Sequence, residues 1–437
     1  MKKTIFFMIF TFFSFFFITV SMSGAQENPG EKPSGRFEFH PSITLEEKYT
    51  SNANFTATDK KDDFITRIIP GIALSKNSAT FGVDLGAHLT YNWYANNSDY
   101  NYTGYDGNIA LRYNPYQNLT FQIRDSVIQS ENPRYLDLSS TSTTPQYLGF
   151  VQQGRSLYLM NRLEPSVNWQ FARDGNIGFT YINNIYHTDN PTINESTINT
   201  YRPNFSYWFN QYNGILLDYS YTEEDNTINS DMTGHVYHGR YIYKFNPRSS
   251  IYADYSFIKR DFDFPATSYD IHSPAIGIEH AFNESLTGLL QAGYYYVNPS
   301  DGNNGSDSGF SGILKLTQKD RVTTYSIILE TGYREIFGAG QQQNQSFARS
   351  YNATATVDHM LSEKFKIGLI ASVTEMDYIY SDRNDRIYSA ELNASYQITR
   401  WLSFFARTGY WWDDSTFYTT GKYDEFHVIV GLTAIYL

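Results

Sequence analysis

The sequence predicts an all-β transmembrane protein, an antiparallel up-and-down barrel of about 20 strands (18–20), with short turns on one side and longer loops on the other. Three observations carry that prediction. Alternation of apolar and polar residues recurs along nearly the whole chain, with little helical periodicity. Aromatic residues are 17% of the chain, with 38 tyrosines, while hydrophobic residues reach only 41% and the mean hydropathy is -0.45. Polar turn signals separate the alternating stretches at regular spacing. A transmembrane barrel needs this mixture, because it places ring belts at both interfaces and keeps a polar interior.

The first 25 of the 437 residues read as a signal peptide (1–25). Lys2 and Lys3 precede an apolar run from Ile5 to Val20, and Ser23, Gly24 and Ala25 supply a cleavage site. The run falls short of the roughly 20 residues a membrane-spanning helix needs. Residues 26–36 read as a periplasmic tail, with Pro29 and Pro33, too short for a plug domain. Residues 37–437 then form a single barrel in a Gram-negative outer membrane. The chain has no cysteine, so thiol chemistry, lipoprotein anchoring and cysteine-based zinc sites are excluded. Without Lys2 and Lys3, 31 basic residues face 45 acidic ones, a net charge of -14 that disfavours nucleic acid as a partner.

The first strand is expected near Phe37 to Ser51 and the second from Phe64. Nine turns follow, at Lys76–Ser78, Asn114–Asn118, Arg173–Asn176, Asn210–Asn213, Asn246–Arg248, Asn283–Ser285, Lys319–Asp320, Ser362–Lys364 and Thr399–Arg400. Longer loops lie between them, such as Asn96–Gly104, Asn190–Thr197, Asn226–Gly234, Asp301–Gly309 and Gly338–Ser346. In the closing stretch Phe426, Val428, Val430, Leu432, Ala434 and Tyr436 share one face, with His427, Gly431 and Thr433 on the other. The final aromatic, Tyr436, is followed by Leu437, which displaces the usual terminal assembly signal by one position.

Phase selects the candidate pore-lining residues. An arginine facing lipid at mid-membrane costs about 2 to 4 kcal/mol. Arg67, Arg112, Arg124, Arg162, Arg240 and Arg407 all fall on the more polar phase, as do Asp84, Glu164, Asp218, Lys244, Asp254, Lys315, Glu330 and Glu391. Their mixed signs predict little selectivity for simple anions or cations, and solvation or cross-strand pairing is the ordinary role of each. Glu131 to Arg155 is the longest loop, with Arg134, Tyr135, Asp137 and Tyr147 as candidate constriction residues; a mobile outer loop is the competing reading. Tyr94, Trp208, Tyr295 and Trp411 lie on the polar phase near strand ends, where rings serve either the girdle or sugar stacking.

No catalytic, cofactor or metal site is expected. His187, His235, His238, His272, His359 and His427 stand in no nucleophile or metalloprotease signature. The acidic pairs Asp62-Asp63, Glu223-Glu224 and Asp413-Asp414 read as solvated loop or strand-end charge. Asp301, Asn303 and Asp307 offer oxygen ligands but lack the spacing that ends in a bidentate glutamate, so an exposed hairpin loop is the better reading.

The opening of the mature chain carries a family resemblance. Tyr49-Thr50-Ser51-Asn52, then Asp62-Asp63-Phe64-Ile65 and Pro70-Gly71, resemble the start of the putative beta-barrel porin type 2 family. The resemblance implies an outer-membrane barrel without catalytic residues, associated with exopolysaccharide synthesis and export. The partners it implies are outer-membrane lipid, the barrel assembly machinery and a periplasmic polysaccharide-export complex. A general diffusion porin and a non-conducting structural barrel are the alternatives.

Overall fold

In the computed structural model the chain is described over residues 35–132, 154–300, 305–335, 347–379, 382–416 and 422–436. The 1–25 segment, nearly all of the 26–36 tail and the candidate constriction residues Arg134, Tyr135, Asp137 and Tyr147 lie outside the described residues.

Twenty strands follow in chain order. The first seven are β1 (Glu38–Thr50), β2 (Asp63–Asn77), β3 (Phe81–Tyr94), β4 (Tyr102–Tyr116), β5 (Leu119–Ser130), β6 (Tyr158–Ala172) and β7 (Gly175–Thr188). The next seven are β8 (Ser196–Trp208), β9 (Asn213–Asn226), β10 (Met232–Asn246), β11 (Ser249–Phe262), β12 (Tyr269–Ala281), β13 (Leu286–Pro299) and β14 (Asp307–Lys319). Then come β15 (Thr323–Glu335), β16 (Phe347–Ser362), β17 (Phe365–Tyr378), β18 (Asn384–Gln397), β19 (Leu402–Ser415) and β20 (Tyr423–Ile435). The one helical element among the described residues is a 3-10 turn at Ser98–Tyr100.

Each strand pairs antiparallel with the next, and β20 pairs with β1 from Ser42↔Ile435 to Thr50↔His427. That last pairing closes the sheet, which leaves no edge strand to be hydrogen-bonded by lipid. All nine expected turns connect the strands they were placed between. Asparagine side chains build several of them: Asn283 Oδ1 accepts from the Ser285 and Leu286 amides at 2.8 and 2.7 Å. The opposite connections are shorter than composition suggests. β4 begins inside the expected loop Asn96–Gly104 and β10 inside Asn226–Gly234, because ladder pairing continues beyond the upper ring belt.

The two faces differ along every strand. On β18, Tyr388, Leu392 and Tyr396 are exposed on the outside, with Ala390 and Ala394 between them, while Ser389, Glu391, Asn393 and Ser395 point inward. Exposed rings form two outer belts. Tyr113, Phe121, Trp169 and Tyr396 lie near the turn side; Trp93, Tyr105, Tyr294, Tyr351 and Tyr410 lie near the loop side. The aliphatic band between them is the surface a bilayer core covers. Buried apolar clusters are small and lie inside the loop-side end, the largest formed by Ile258, Tyr269, Ile271, Tyr295, Val297 and Phe347.

Candidate channel interior and extracellular mouth

Strand register puts all fourteen candidate residues on the inner face, and several meet there. Arg67 Nη2 donates to Glu46 Oε1 at 2.5 Å. Glu164 accepts from Arg162 at 2.8 Å and lies 3.7 Å from Arg124. A second group spans β8 to β11: Asp218 faces Arg202 at 3.5 Å and His238 at 3.2 Å, and Asp254 faces His238 at 2.9 Å and Arg240 at 2.6 Å. Opposite charges thus pair sideways across strands.

The remaining candidates are held singly. Arg112 donates to Asn77 Oδ1 at 2.6 Å and to the Ser78 carbonyl at 3.0 Å, at a turn. Lys244 lies 3.8 Å over the Trp208 ring and Arg407 5.7 Å over Phe405. Glu391 stands 3.6 Å from His427, and Glu330 accepts from Asn352 at 3.4 Å. Asp84 and Lys315 make no polar contact among the described residues. Tyr94, Trp208, Tyr295 and Trp411 are all on the inner face, and Tyr94 and Tyr295 are buried there, which removes them from the outer girdle.

At the mouth, four arginines, none of them among the expected site residues, each engage a carboxylate and a tyrosine. Arg155 donates to Tyr94 Oη at 2.7 Å, to the Ala53 and Tyr100 carbonyls at 3.2 and 2.8 Å, and to Glu131. Its guanidinium lies 4.5 Å from the Tyr100 ring centroid. Burial pushes the Glu131 carboxyl above its ordinary range, with Arg155 pulling against it. Through Ala53 this cluster ties the 51–62 connection down over the barrel, where Ala53 and Phe55 are 1% and 4% exposed.

Two of the motif residues act in the same region. Asn52, fully buried, donates to the Thr56 and Asp424 carbonyls at 2.7 and 3.0 Å and accepts from the Thr56 amide at 3.1 Å. Asp63 accepts from the Asn96 and Asn97 amides, each at 2.9 Å, and so fixes the connection from β3 to β4. At Gly71 an added Cβ would sit 2.4 Å from the His88 ring, which explains a glycine facing inward there.

The other three arginines lie further round the rim. Arg260 Nε and Nη2 donate to the two Glu335 oxygens at 2.8 and 2.9 Å, and Tyr269 Oη donates to the same carboxylate at 3.1 Å. This pair joins β11 to the end of β15, four strands away. Tyr333 and Phe347 come with it, their rings 5.4 and 6.1 Å from Tyr295. The loop-side end of the β15–β16 hairpin therefore folds inward past β14 and rests on the inner faces of β11 to β13. Arg383 engages Asp385 with Tyr378 Oη on the same carboxylate at 3.0 Å, and Arg349 of β16 pairs with Asp307 of β14. Beside them Glu425, fully buried, accepts from Thr50 and Tyr423 at 2.7 and 2.9 Å and pairs with Lys48 at 3.2 Å.

The histidines are dispersed: His235 and His272 bond Tyr219 and Tyr255 on the outer face, and His359 bonds Thr323. Among the described residues no group of three or more His, Asp or Glu stands together as a metal site. Asp307 opens β14 and is engaged by Arg349.

A closed twenty-stranded barrel with an aliphatic outer band, two ring belts and a charged inner wall defines a porin-like outer-membrane β-barrel. The family model described as putative beta-barrel porin 2 matches residues 226–436, just under half of the chain and apart from the motif residues 49–72. No curated protein matches the chain. Among solved structures, the ferric enterobactin receptor PfeA of Pseudomonas aeruginosa, in complex with BCV-L6, is similar at 10% identity and a TM-score of 0.52, over 93% of this chain and 82% of that one. The siderophore receptor PirA of Acinetobacter baumannii is similar at 9% identity and 0.50, over 93% and 81%. Both likenesses are of fold. The outer membrane protein OpdK of Pseudomonas aeruginosa aligns at 10% identity and 0.43, over 91% and 99%.

Proposed function

We propose that the barrel is a non-catalytic channel giving passage across the outer membrane to a secreted polysaccharide or another hydrophilic polymer. The observation that carries this reading is an inner wall of sideways-neutralised charges, hydroxyls and rings below a mouth narrowed by inward-folded segments. A wall with most charges paired offers a sugar chain donors and acceptors without a strong field, and a barrel of this strand number leaves room for water. In this reading Arg67, Asp84, Arg112, Arg124, Arg162, Glu164, Asp218, Arg240, Lys244, Asp254, Lys315, Glu330, Glu391 and Arg407 line the pore. Residues 1–25 direct export, 26–36 form a periplasmic tail, and a periplasmic polysaccharide-export complex delivers the polymer. The segment bearing Arg134, Tyr135, Asp137 and Tyr147 is a further constriction, tested by deleting Leu136 to Gly149 and reading single-channel conductance.

A general diffusion porin for small solutes is the second reading, favoured by the porin family match. Planar-bilayer conductance of the refolded chain, with long anionic or neutral glycans on one side, separates the two. Small steps altered only by polymer support export. Large steady steps blocked by small sugars support a diffusion porin and sink the export reading.

A further inference from the structure

The ladder between β14 and β15 stops at Gly312↔Thr331, although β14 continues to Asp307 and β15 to Glu335. On their far sides both strands stay paired to the top, β14 with β13 up to Val297↔Asp307 and β15 with β16 up to Glu335↔Phe347. In every other neighbouring pair at least one strand stays laddered to within three residues of its loop-side end, whereas here both strands run on unpaired to each other. The inward fold of the β15–β16 end thus leaves a seam in the barrel wall, beginning at the upper ring belt.

The seam holds a cavity of about 330 Å³, lined by residues from both faces of the wall. Tyr295 backs it from inside: its hydroxyl would lie 2.6 Å from a Cβ built on Gly309. Phe310 and Tyr351, 60% and 50% exposed, flank it on the outside, with Ser308 and Thr331. Arg349 and Asp307 close the upper edge as an ion pair, neutral as a unit, that still presents N–H donors and carboxylate acceptors.

We propose that this seam binds a single-chain amphiphile with a neutral, sugar-like head. The head sits at Tyr295, Asp307 and Arg349, and the alkyl chain runs outward between Phe310 and Tyr351 into the outer leaflet. The two-sided lining selects an amphiphile: a wholly polar ligand leaves the outer rings unused, and a wholly apolar one strands the ion pair without solvent. The neutrality of the Arg349–Asp307 pair selects an uncharged head. The site is independent of whether the barrel interior carries polysaccharide.

Photolabelling tests it. The full chain in phosphatidylcholine nanodiscs is irradiated with octyl glucoside carrying a diazirine at the chain end, and labelled peptides are identified by mass. Labelling is expected at Phe310 or Tyr351, suppressed by unlabelled octyl glucoside and reduced about tenfold by Thr331→Trp, which fills the cavity from outside. If that variant does not assemble, Ser308→Leu on the same wall gives the reading. Arg349→Gln is expected to weaken labelling by the glucoside and not by octanoate bearing the same diazirine. Label spread evenly around the ring belt overturns the proposal. So does equal labelling by the octanoate probe in the unmodified chain, or competition by free glucose as strong as by octyl glucoside.

Discussion

Arg260 shows what a buried charge does in this barrel. It is 5% exposed and its partner Glu335 is held by a tyrosine as well, so removing the guanidinium strands a carboxylate inside the mouth. Arg260→Ala is expected to lower stability by about 3 kcal/mol, read from denaturant unfolding in lipid micelles. Arg386→Ala, which breaks the solvent-exposed pair with Glu375 at 2.8 Å, is expected to leave the midpoint unchanged. Asn52→Ala removes three hydrogen bonds from a fully buried amide and is expected to cost about 2 kcal/mol and to open the 51–62 connection to protease. Sequence singled out Asn52 as flanking a loop, since a Tyr-x-x-Asn turn is local. It did not single out Arg155, Arg260, Arg349 or Arg383. Arg260 and Glu335 are 75 residues apart, and nothing local in either stretch names the other.

Strands were the most legible elements, because the alternation that defines a strand also assigns its faces. Leu392 and Asn393, adjacent on β18, test that assignment. Leu392→Arg is expected to cost about 2 to 4 kcal/mol by placing a charge against lipid, whereas Asn393→Arg on the inner face is expected to cost little. Equal costs would mean that both faces are wet, and the opposite order that the faces are reversed. Turns were legible for a similar reason, as Asn, Asp, Gly and Pro set backbone geometry without help from elsewhere. The seam was not. Residues 307–309 fall in the expected loop Asp301–Gly309, and nothing local in 332–335 marks a break; the Arg260–Glu335 pair, with Tyr333 and Phe347 packed against distant strands, pulls the two ends apart. Amides of 307–311 that point away from β13 are therefore expected to exchange hydrogen about tenfold faster than those of the paired stretch Leu314–Leu316, by mass-resolved exchange.

For the whole molecule, the question is where the cross-section is smallest. Twenty strands set a wide barrel, and the inner wall along its middle carries mainly short polar side chains and paired charges. The loop-side end differs, because the 51–62 connection and the β15–β16 end both turn inward and bury rings against the wall. Closure by β1 and β20 holds the circumference fixed, so material folded into the mouth subtracts directly from the open area. Tyr333 and Phe347, stacked at 5.7 Å, form the bulk of the β15–β16 contribution. Truncating both to alanine removes two rings and leaves the Arg260–Glu335 pair in place, so the hairpin end stays anchored. Single-channel conductance is expected to rise by about twofold or more if this end limits passage, with no change in ion selectivity. An unchanged conductance in a correctly assembled double variant would move the narrowest section to the 51–62 side, where Arg155 and Phe55 become the residues to alter.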